Sequence, residues 1–409
     1  MYLPEEVRDE TITILKKKLQ GRRESLQTIA DSYFKIVNKY ATIRGTDKDD
    51  YFEIERLPNG ITSVKVFRII KGEKGTLFFE RLYKPNETKE IWNFGLDDDD
   101  YFEVKGIASS KIRLRLSGGQ NVDTYNIVNG SKTDVYDYKS KISKIESKKG
   151  TFHFRDYYFT NIYDYKKIKY NSRAIVPEKG FNPDDGFKFG VGGLFLRNGF
   201  EGENFVSKHK LSAFFFFATN GFDLDYFGEF ADVFKNVNLG IHSNFTSPNY
   251  TINFFGYGNS TVDLSVDPNP GEEEKDLDYN RVRKFSFLIS PLLIRIVEYS
   301  SKLSFGVNYE SVEVENIVDR FLSDYFQTDA EFERQHFVGS EVSYSYINKD
   351  NLAFPTLGLD FLLDVGYKNN IDNSNNFGYL VPSLEIDYKL VPNGQLVLAT
   401  KVKGHNYFW

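Results

Sequence analysis

The chain has 409 residues, and its 52 Lys and Arg against 58 Asp and Glu leave a net charge of −6 at pH 7. This mild acidity leaves no basic footprint for a nucleic acid, so that class of partner is excluded. The sequence contains no Cys, which is compatible with an oxidising compartment but does not require one. No run of about 18 or more apolar residues is present, which excludes a transmembrane helix.

Residues 1–40 are predicted to form an amphipathic helical segment. Apolar residues recur there at mostly helical spacings, which indicates one or two helices with a break near Gly21. The lysines at 16–18 are interpreted as a solvated helix face, with contact to an anionic surface as the alternative.

Residues 41–145 are predicted to form a β-rich module with acidic turns. Three segments align there without gaps, namely GTDKDDYFEI at 45–54, GLDDDDYFEV at 95–104 and GGQNVDTYNI at 118–127. Each copy has a Gly, an Asp five residues later, and then aromatic and β-branched residues. The offset of 23 residues between the last two copies fits one coil of a β-solenoid, or two strands of a compact sheet.

The acidic turns of this module are candidate metal sites. Carboxylate oxygens are the hard ligands that calcium prefers, and Asp residues gather in these turns. The alternative is that stretches containing Asp and Gly are turns that connect strands. The residues predicted as calcium ligands are Asp97, Asp98, Asp100 and Asp123.

Residues 146–185 are predicted to be a connector, which ends in a sharp turn at 183–186. Residues 186–409 are predicted to form a transmembrane β-barrel, because aromatic-rich segments of about ten residues alternate apolar and polar side chains there. In one segment Phe222 and Leu224 point to one side, while Asp223 and Asp225 point to the other. One side suits lipid and the other suits a wet lumen.

Eleven antiparallel strands are predicted in the barrel, at 187–197, 208–219, 222–230, 236–245, 250–257, 281–296, 302–313, 335–346, 356–367, 377–390 and 395–407. With these strands, the short connections all lie on one side and the long connections on the other, as in outer-membrane barrels. Bacterial single-chain barrels usually have an even number of strands. The barrel is therefore predicted to be truncated at the C-terminus, although the terminal Trp409 is typical of a last barrel strand.

Several motifs together resemble a known family. They are GTDKDDYFEIERLPNG from residue 45, ETKEIWNFGLDDDDYFEV from 87, IRLRLSGGQNVDTY from 112, FNPDDGFKFGVGG from 181 and SKHKLSAFFFFATNGFDLDYFGEF from 207. In their order they resemble the C-terminal part of large Gram-negative outer-membrane proteins, in which a calcineurin-like metallophosphoesterase precedes a surface-antigen barrel similar to the BamA/TamA type. The resemblance implies a periplasmic module, a connector and a sixteen-stranded barrel in the outer membrane.

The resemblance also implies the partners, which are outer-membrane lipid and the outer-membrane assembly machinery. No secretory signal opens the sequence, so the chain is predicted to be a segment of a longer exported protein. The metal-binding patterns of the phosphoesterase are absent, and the five His are scattered. The chain is therefore predicted not to be an enzyme, and no catalytic residue or organic cofactor is assigned to it.

The leading hypothesis for function is a barrel that anchors an enzyme at the outer membrane or translocates something across it. One alternative is a passive porin, whose acidic loops at 270–278 and 329–334 would favour cations. A second is a barrel hydrolase, and a third is a soluble β-rich binding protein with residues 214–217 in its core. The candidate residues for a hydrolase are Asp223, Asp225, Asp360 and Asp364.

Overall fold

The structure is a computed structural model that describes residues 10–166, 169–182, 186–200, 205–234, 236–257, 275–276, 278–298, 300–326 and 328–408. It divides into two compact units, one formed by Met1–Ile168 with Phe200–Gly202 and the other by Lys169–Gly199 with Glu203–Trp409. The prediction of a mostly β chain is confirmed, with an N-terminal helix, a small β-rich unit and a large antiparallel sheet.

Helix α1 spans Glu10–Val37 and runs without interruption through Gly21. The predicted break at this residue is therefore wrong. A Gly inside a helix costs about 1 kcal/mol relative to Ala, which lowers stability but does not end a helix whose neighbours are good helix formers. A second, short helix, α2, spans Phe321–Tyr325 in the second unit.

The first unit contains eleven described strands. They are β1 Tyr40–Arg44, β2 Asp50–Arg56, β3 Thr62–Ile70, β4 Glu73–Tyr83, β5 Glu90–Leu96, β6 Tyr101–Lys105, β7 Arg113–Gly119, β8 Thr124–Ile127, β9 Thr133–Asp137, β10 Lys144–Lys148 and β11 Thr151–Phe154. One sheet has the order β1-β5-β7-β9-β11 and pairs its strands in parallel. The other has the order β10-β8-β6-β2-β3-β4, in which β3 pairs antiparallel with both β2 and β4 and the remaining described strands pair in parallel.

This strand order defines a β-solenoid, because the chain alternates between the two sheets and each coil stacks on the one before. Tyr101 of one coil pairs with Tyr51 of the previous coil and with Thr124 of the next. The first coil carries the β3–β4 hairpin as an insertion, which explains why the first two repeat copies are further apart than the last two. The repeat is thus one solenoid coil, which was one of the two interpretations of its spacing.

The core of the solenoid lies between its two sheets. Stacked aromatic rings follow the coil axis, with centroids 4.5 Å apart for Phe52 and Phe102 and 5.4 Å apart for Phe102 and Tyr125. Aliphatic side chains fill the space around them, among them Ile54, Val64, Val66, Ile91, Val104, Leu114, Leu116, Ile127 and Val135.

The second unit is built on an antiparallel sheet that has 13 strands within the described residues. They are β12 Ser172–Asn182, β13 Gly186–Arg197, β14 Ser207–Phe216, β15 Gly221–Phe234, β16 Val237–Thr246, β17 Thr251–Asn253, β18 Arg281–Glu298, β19 Ser301–Val314, β20 Gln335–Lys349, β21 Leu357–Asn370, β22 Phe377–Lys389, β23 Val397–Lys403 and β24 Asn406–Phe408. The order follows the chain from β12 to β23, while β17 pairs with β18 and β24 pairs with β22. In the part of the chain that is described, β12 and β23 form the two edges of the sheet, and the sheet is not closed into a barrel.

Two predicted elements differ from this arrangement. The segment predicted as a connector contains β10 (in part), β11 and β12; β12 includes Pro177, and a strand with Pro and little alternation is hard to recognise from sequence. The predicted strand 250–257 is only the three-residue β17, which pairs with β18 just beyond the end of β16 and so continues that strand. The turn predicted at 183–186 lies largely outside the described residues, as do most of the loop 270–278 and the terminal Trp409.

Because β17 continues β16, the predicted division of the connections is also wrong. The longer connection 198–206 joins strands at the same end of the sheet as the connections 235–236, 299–300, 350–356 and 390–396. Here an end of the sheet means the side on which the strands begin or finish, not an outer strand. The two longest connections, 247–280 and 315–334, join strands at the opposite end of the sheet. One end of the sheet thus still carries the longest connections, but the loops at that end are not the set that was predicted from the sequence.

Candidate functional site

A ladder of buried aspartates runs along one corner of the solenoid. The amide of Asp50 donates to Oδ1 of Asp100 at 2.8 Å, and the amide of Asp100 donates to Oδ1 of Asp123 at 2.9 Å. All three side chains are buried. The carboxyl groups of Asp100 and Asp123 therefore each bind the backbone of the previous coil. We call Asp50, Asp100, Asp123 and Asp137, which follow one another along this corner, the aspartate ladder.

The two ends of the ladder are closed differently. At the first coil, Arg68 Nη1 lies 2.7 Å from Oδ1 of Asp50, which forms an ion pair. At the last coil, Oδ2 of Asp137 accepts hydrogen bonds from the Tyr125 hydroxyl at 3.0 Å and the Ser143 hydroxyl at 2.5 Å. The ladder therefore ends in hydrogen-bonded groups at both ends.

The conserved spacing of Gly and Asp within the repeat has a steric cause. A Cβ atom on Gly95 would lie 2.0 Å from Oδ2 of Asp100, and one on Gly118 would lie 2.0 Å from Oδ2 of Asp123. Real Cβ atoms do not approach other atoms so closely, so only Gly leaves room for the carboxylate. The Gly five residues before the Asp is thus the sequence signal of the ladder.

Burial makes the middle of the ladder hard to ionise. Burial, together with the neighbouring Asp123, raises the pKa of Asp100 to about 10, and burial with the neighbouring Asp137 raises the pKa of Asp123 to about 8. Among the described residues, Oδ2 of Asp100 and Oδ2 of Asp123 have no hydrogen-bond partner. At neutral pH we therefore expect both carboxyl groups to hold a proton.

The four residues predicted as calcium ligands are distributed over different environments. Asp100 and Asp123 are buried in the ladder, whereas Asp97 lies in an exposed turn and Asp98 forms an ion pair with Lys48 at 3.3 Å. Within the described ranges, no three His, Cys, Asp or Glu side chains are grouped so that they could hold a metal ion. Calcium binding stays a prediction; a rise in melting temperature on adding calcium, abolished by D97N and D98N, would support it.

A buried arginine in the solenoid was not predicted from the sequence. The Arg56 guanidinium donates to the carbonyl oxygens of Ile112 at 3.1 Å and Ser131 at 2.8 Å, and to the Thr62 hydroxyl at 2.9 Å. Burial lowers the pKa of Arg56 to about 10. Arg56 therefore joins three coils. On β2 it alternates in phase with the buried Phe52 and Ile54, and this alternation is the sequence signal that places it on the inner face.

The large sheet has one apolar face that is exposed. On β19, Phe305 and Val307 are 48% and 49% exposed, while Gly306 and Asn308 on the other face are buried. The same alternation continues in neighbouring strands, because the register places Leu293, Phe305 and Val342 side by side. Other exposed residues with apolar side chains on strands of the sheet are Phe187, Val191, Leu211, Phe215, Phe222, Leu224, Ile289, Leu303, Val338, Val365, Tyr367 and Ile386.

The opposite face of the sheet carries charged side chains joined in ion pairs. Lys349 contacts Glu385 and lies 3.2 Å from Oδ2 of Asp387, and Lys401 lies 3.2 Å from Oε2 of Glu385. Lys368 pairs with Glu310 in the same way on other strands. Acidic and basic side chains are therefore paired at these positions of the polar face.

The aspartates considered for a hydrolase lie on this polar face but are not brought together by strand pairing. Asp223 accepts from Asn244 at 3.0 Å and Asp225 lies 2.9 Å from Nε2 of His242. Asp360 and Asp364 lie on β21, which is separated from β15 in the sheet order by β16, β18, β19 and β20.

Comparisons with known proteins add a partial likeness. No family model and no curated protein matches the chain. A crystal structure of BamA from Haemophilus ducreyi lacking POTRA domains 1–3 is similar, with 15% sequence identity and a TM-score of 0.39. The likeness covers 58% of this chain and 42% of that one, so this chain spans less than half of that structure's length. The fold class rests on the strand pairing and the two faces of the sheet in this chain.

Among the described residues, no helix is both long enough and apolar enough to cross a bilayer.

The close approach of Gly118 to the ladder predicts a large effect of adding one methyl group. In G118A the new Cβ would collide with Oδ2 of Asp123 and with the Tyr125 hydroxyl, so we expect a loss of about 1–3 kcal/mol or more in the stability of the solenoid. Faster amide exchange of residues 90–127 in the full chain, followed by mass spectrometry, would measure it. The matched control is G21A, whose new Cβ has no neighbour within 4 Å and which should stabilise α1. Equal exchange in G118A and wild type would contradict the steric argument.

The raised pKa values in the ladder predict that the solenoid loses stability as pH rises. Folded Asp123 and Asp100 keep protons that the unfolded chain releases above pH 4, so their contribution is complete below pH 4. It is lost as pH rises to about 8 for Asp123 and about 10 for Asp100, at up to about 1.4 kcal/mol per pH unit for each group.

The urea midpoint between pH 5 and 8 measures this effect. A Trp409→Phe background leaves Trp92, in the first unit, as the remaining tryptophan reporter. D123N keeps an oxygen for the Asp100 amide but cannot ionise, so its profile should be flatter than that of the wild type. A wild-type midpoint that does not fall with pH, or falls equally in D123N, would count against protonated ladder groups.

Proposed function

We propose that the large sheet belongs to a β-barrel inserted in the outer membrane of a Gram-negative bacterium, and that it anchors the solenoid unit at that membrane. The observation that carries the proposal is the continuous apolar face, whose side chains are exposed while the opposite face holds ion pairs. A membrane barrel has this division, with lipid outside and a polar interior.

Lipid explains the exposed apolar face better than a soluble sandwich does. Soluble monomers rarely expose a continuous apolar patch larger than a few hundred Å², since each Å² left in water costs about 25 cal/mol. The described apolar clusters of buried residues lie in the first unit, so the second unit has no second layer recorded against this face. Acyl chains would supply the missing apolar contact.

A barrel in lipid also requires that no strand edge stays unpaired. An unsatisfied backbone amide or carbonyl costs several kcal/mol in hydrocarbon, which is why membrane sheets close on themselves. The proposal therefore includes pairing of the β12 and β23 edges, either with each other or with further strands.

The connections of the sheet support an orientation. Outer-membrane barrels have short periplasmic turns and longer outer loops. The end of the sheet with the connections 235–236 and 299–300 would face the periplasm. The end with the connections 247–280 and 315–334 would face outward. Strand β12 starts at the end of the sheet proposed to face the periplasm, so the chain that precedes β12 would reach the barrel from the periplasm.

The proposed role is that of an anchor or a translocation-type barrel, without a reaction assigned to this chain. Its partners would be outer-membrane lipid and, during insertion, the outer-membrane assembly machinery. The association with a metallophosphoesterase stays a prediction that rests on the order of motifs in the sequence. Ion pairs between Lys349 and Glu385 and between Lys368 and Glu310 on the polar face support anchoring over a cation-selective pore.

The environment of each face can be tested with single Cys substitutions at neighbouring residues, because the chain contains no natural Cys that would also be labelled. Val342 lies on the apolar face of β20 and is 43% exposed, whereas Ser343 points to the polar face and pairs with Ser304. In lipid vesicles, a fluorophore on V342C should be quenched by brominated acyl chains, and one on S343C should be quenched more by iodide in water.

The same alternation should recur on β19 with F305C and S304C. Reversed or equal quenching at the two positions of each pair would contradict insertion of the sheet in lipid. Failure of the protein to associate with vesicles at all would contradict it as well.

A further inference from the structure

Helix α1 has a heptad pattern of apolar residues, and none of the residues of the described helix is buried. Along Glu10–Val37, apolar residues recur at alternating steps of three and four positions, with Arg22 as the one exception. This alternation averages 3.5 residues, the repeat of a left-handed coiled coil, and differs from the 3.6 of a helix lying on a globular core. We call these residues the α1 seam, and they are Ile12, Leu15, Leu19, Leu26, Ile29, Tyr33 and Ile36.

The α1 seam is open to solvent. Leu19, Leu26 and Tyr33 are 57%, 62% and 68% exposed, and no residue of the described helix is buried. A single helix of this length gains little from hydrogen bonds alone and is usually stabilised by packing of its apolar side. A seam of large side chains without packing therefore indicates a partner helix.

The charges beside the seam indicate the chemistry of that partner. The positions that flank a coiled-coil seam hold Lys16, Lys18 and Arg23 in the N-terminal half, and Arg22 stands on the seam itself. No acidic side chain occupies a flanking position of the described helix. In a parallel pair of identical helices, Lys18 would face Arg23 of the other copy, and flanking charges of like sign oppose pairing.

We propose that the α1 seam forms a coiled coil with an acidic helix of another protein. That helix would have apolar residues on its own seam and Glu or Asp beside it, so that its carboxylates face Lys16, Lys18 and Arg23. The apolar seam supplies the attraction, and the flanking charges select the partner. This inference concerns α1 alone and does not depend on the membrane role of the large sheet.

Two designed peptides of the length of α1 test the proposal on the full chain in detergent. Both have Leu on the seam, and they differ only in carrying Glu or Lys at the flanking positions. Fluorescence anisotropy should show saturable binding of the Glu peptide, at least about tenfold tighter than binding of the Lys peptide, and weakened by salt.

Variants of α1 locate the site of binding. L19K with L26K should abolish binding of the Glu peptide, whereas I14K, also exposed but off the seam, should leave it within about twofold. The triple reversal K16E, K18E and R23E should move the preference to the Lys peptide. All these positions are exposed, so the fold should tolerate the changes.

Several results would overturn the proposal. They are equal affinity for both peptides, no binding of either, or binding that I14K reduces as much as L19K with L26K does. Self-association through α1 in sedimentation, unaffected by the Glu peptide, would assign the seam to a second copy of this chain. Binding of α1 to anionic vesicles in place of the peptide would assign it to a lipid surface.

Discussion

The hydrogen bond from the Asp100 amide to the Asp123 carboxylate, repeated between Asp50 and Asp100, sets the register of the solenoid. Because each Asp binds the backbone one coil away, the aromatic residues that follow it are stacked in line, as for Phe102 on Tyr125. A slip of one residue would place a side chain where Gly118 leaves room for a carboxylate. The core, the turns and the parallel pairing of the first unit all depend on this register.

The second unit depends on register in a different way. Its strands pair antiparallel over long stretches, and the register places apolar side chains of neighbouring strands side by side on one face, as with Phe305 and Val342. Pro382 illustrates the limits of that ladder, because it has no amide hydrogen and the chain opposite is interrupted at 404–405, between β23 and β24. The two faces stay distinct on either side of this interruption.

The two units place their apolar side chains in opposite environments. The solenoid encloses them between two sheets and buries carboxyl groups at its corner, where burial raises the pKa of Asp100 and Asp123. The large sheet leaves its apolar side chains on the surface and pairs its charges with one another. The proposed anchoring at a membrane is based on this contrast.

The sequence by itself determined most strands of the large sheet, its two faces and the coil repeat, because side chains alternate along a strand and the steric requirement for Gly95 and Gly118 is local. It also determined α1, although not its continuity at Gly21. Only the tertiary structure decided that Asp100 and Asp123 are buried, that β12 joins the sheet and that β17 continues β16. Each of these depends on contacts between segments distant in the chain, and no local pattern contains that information.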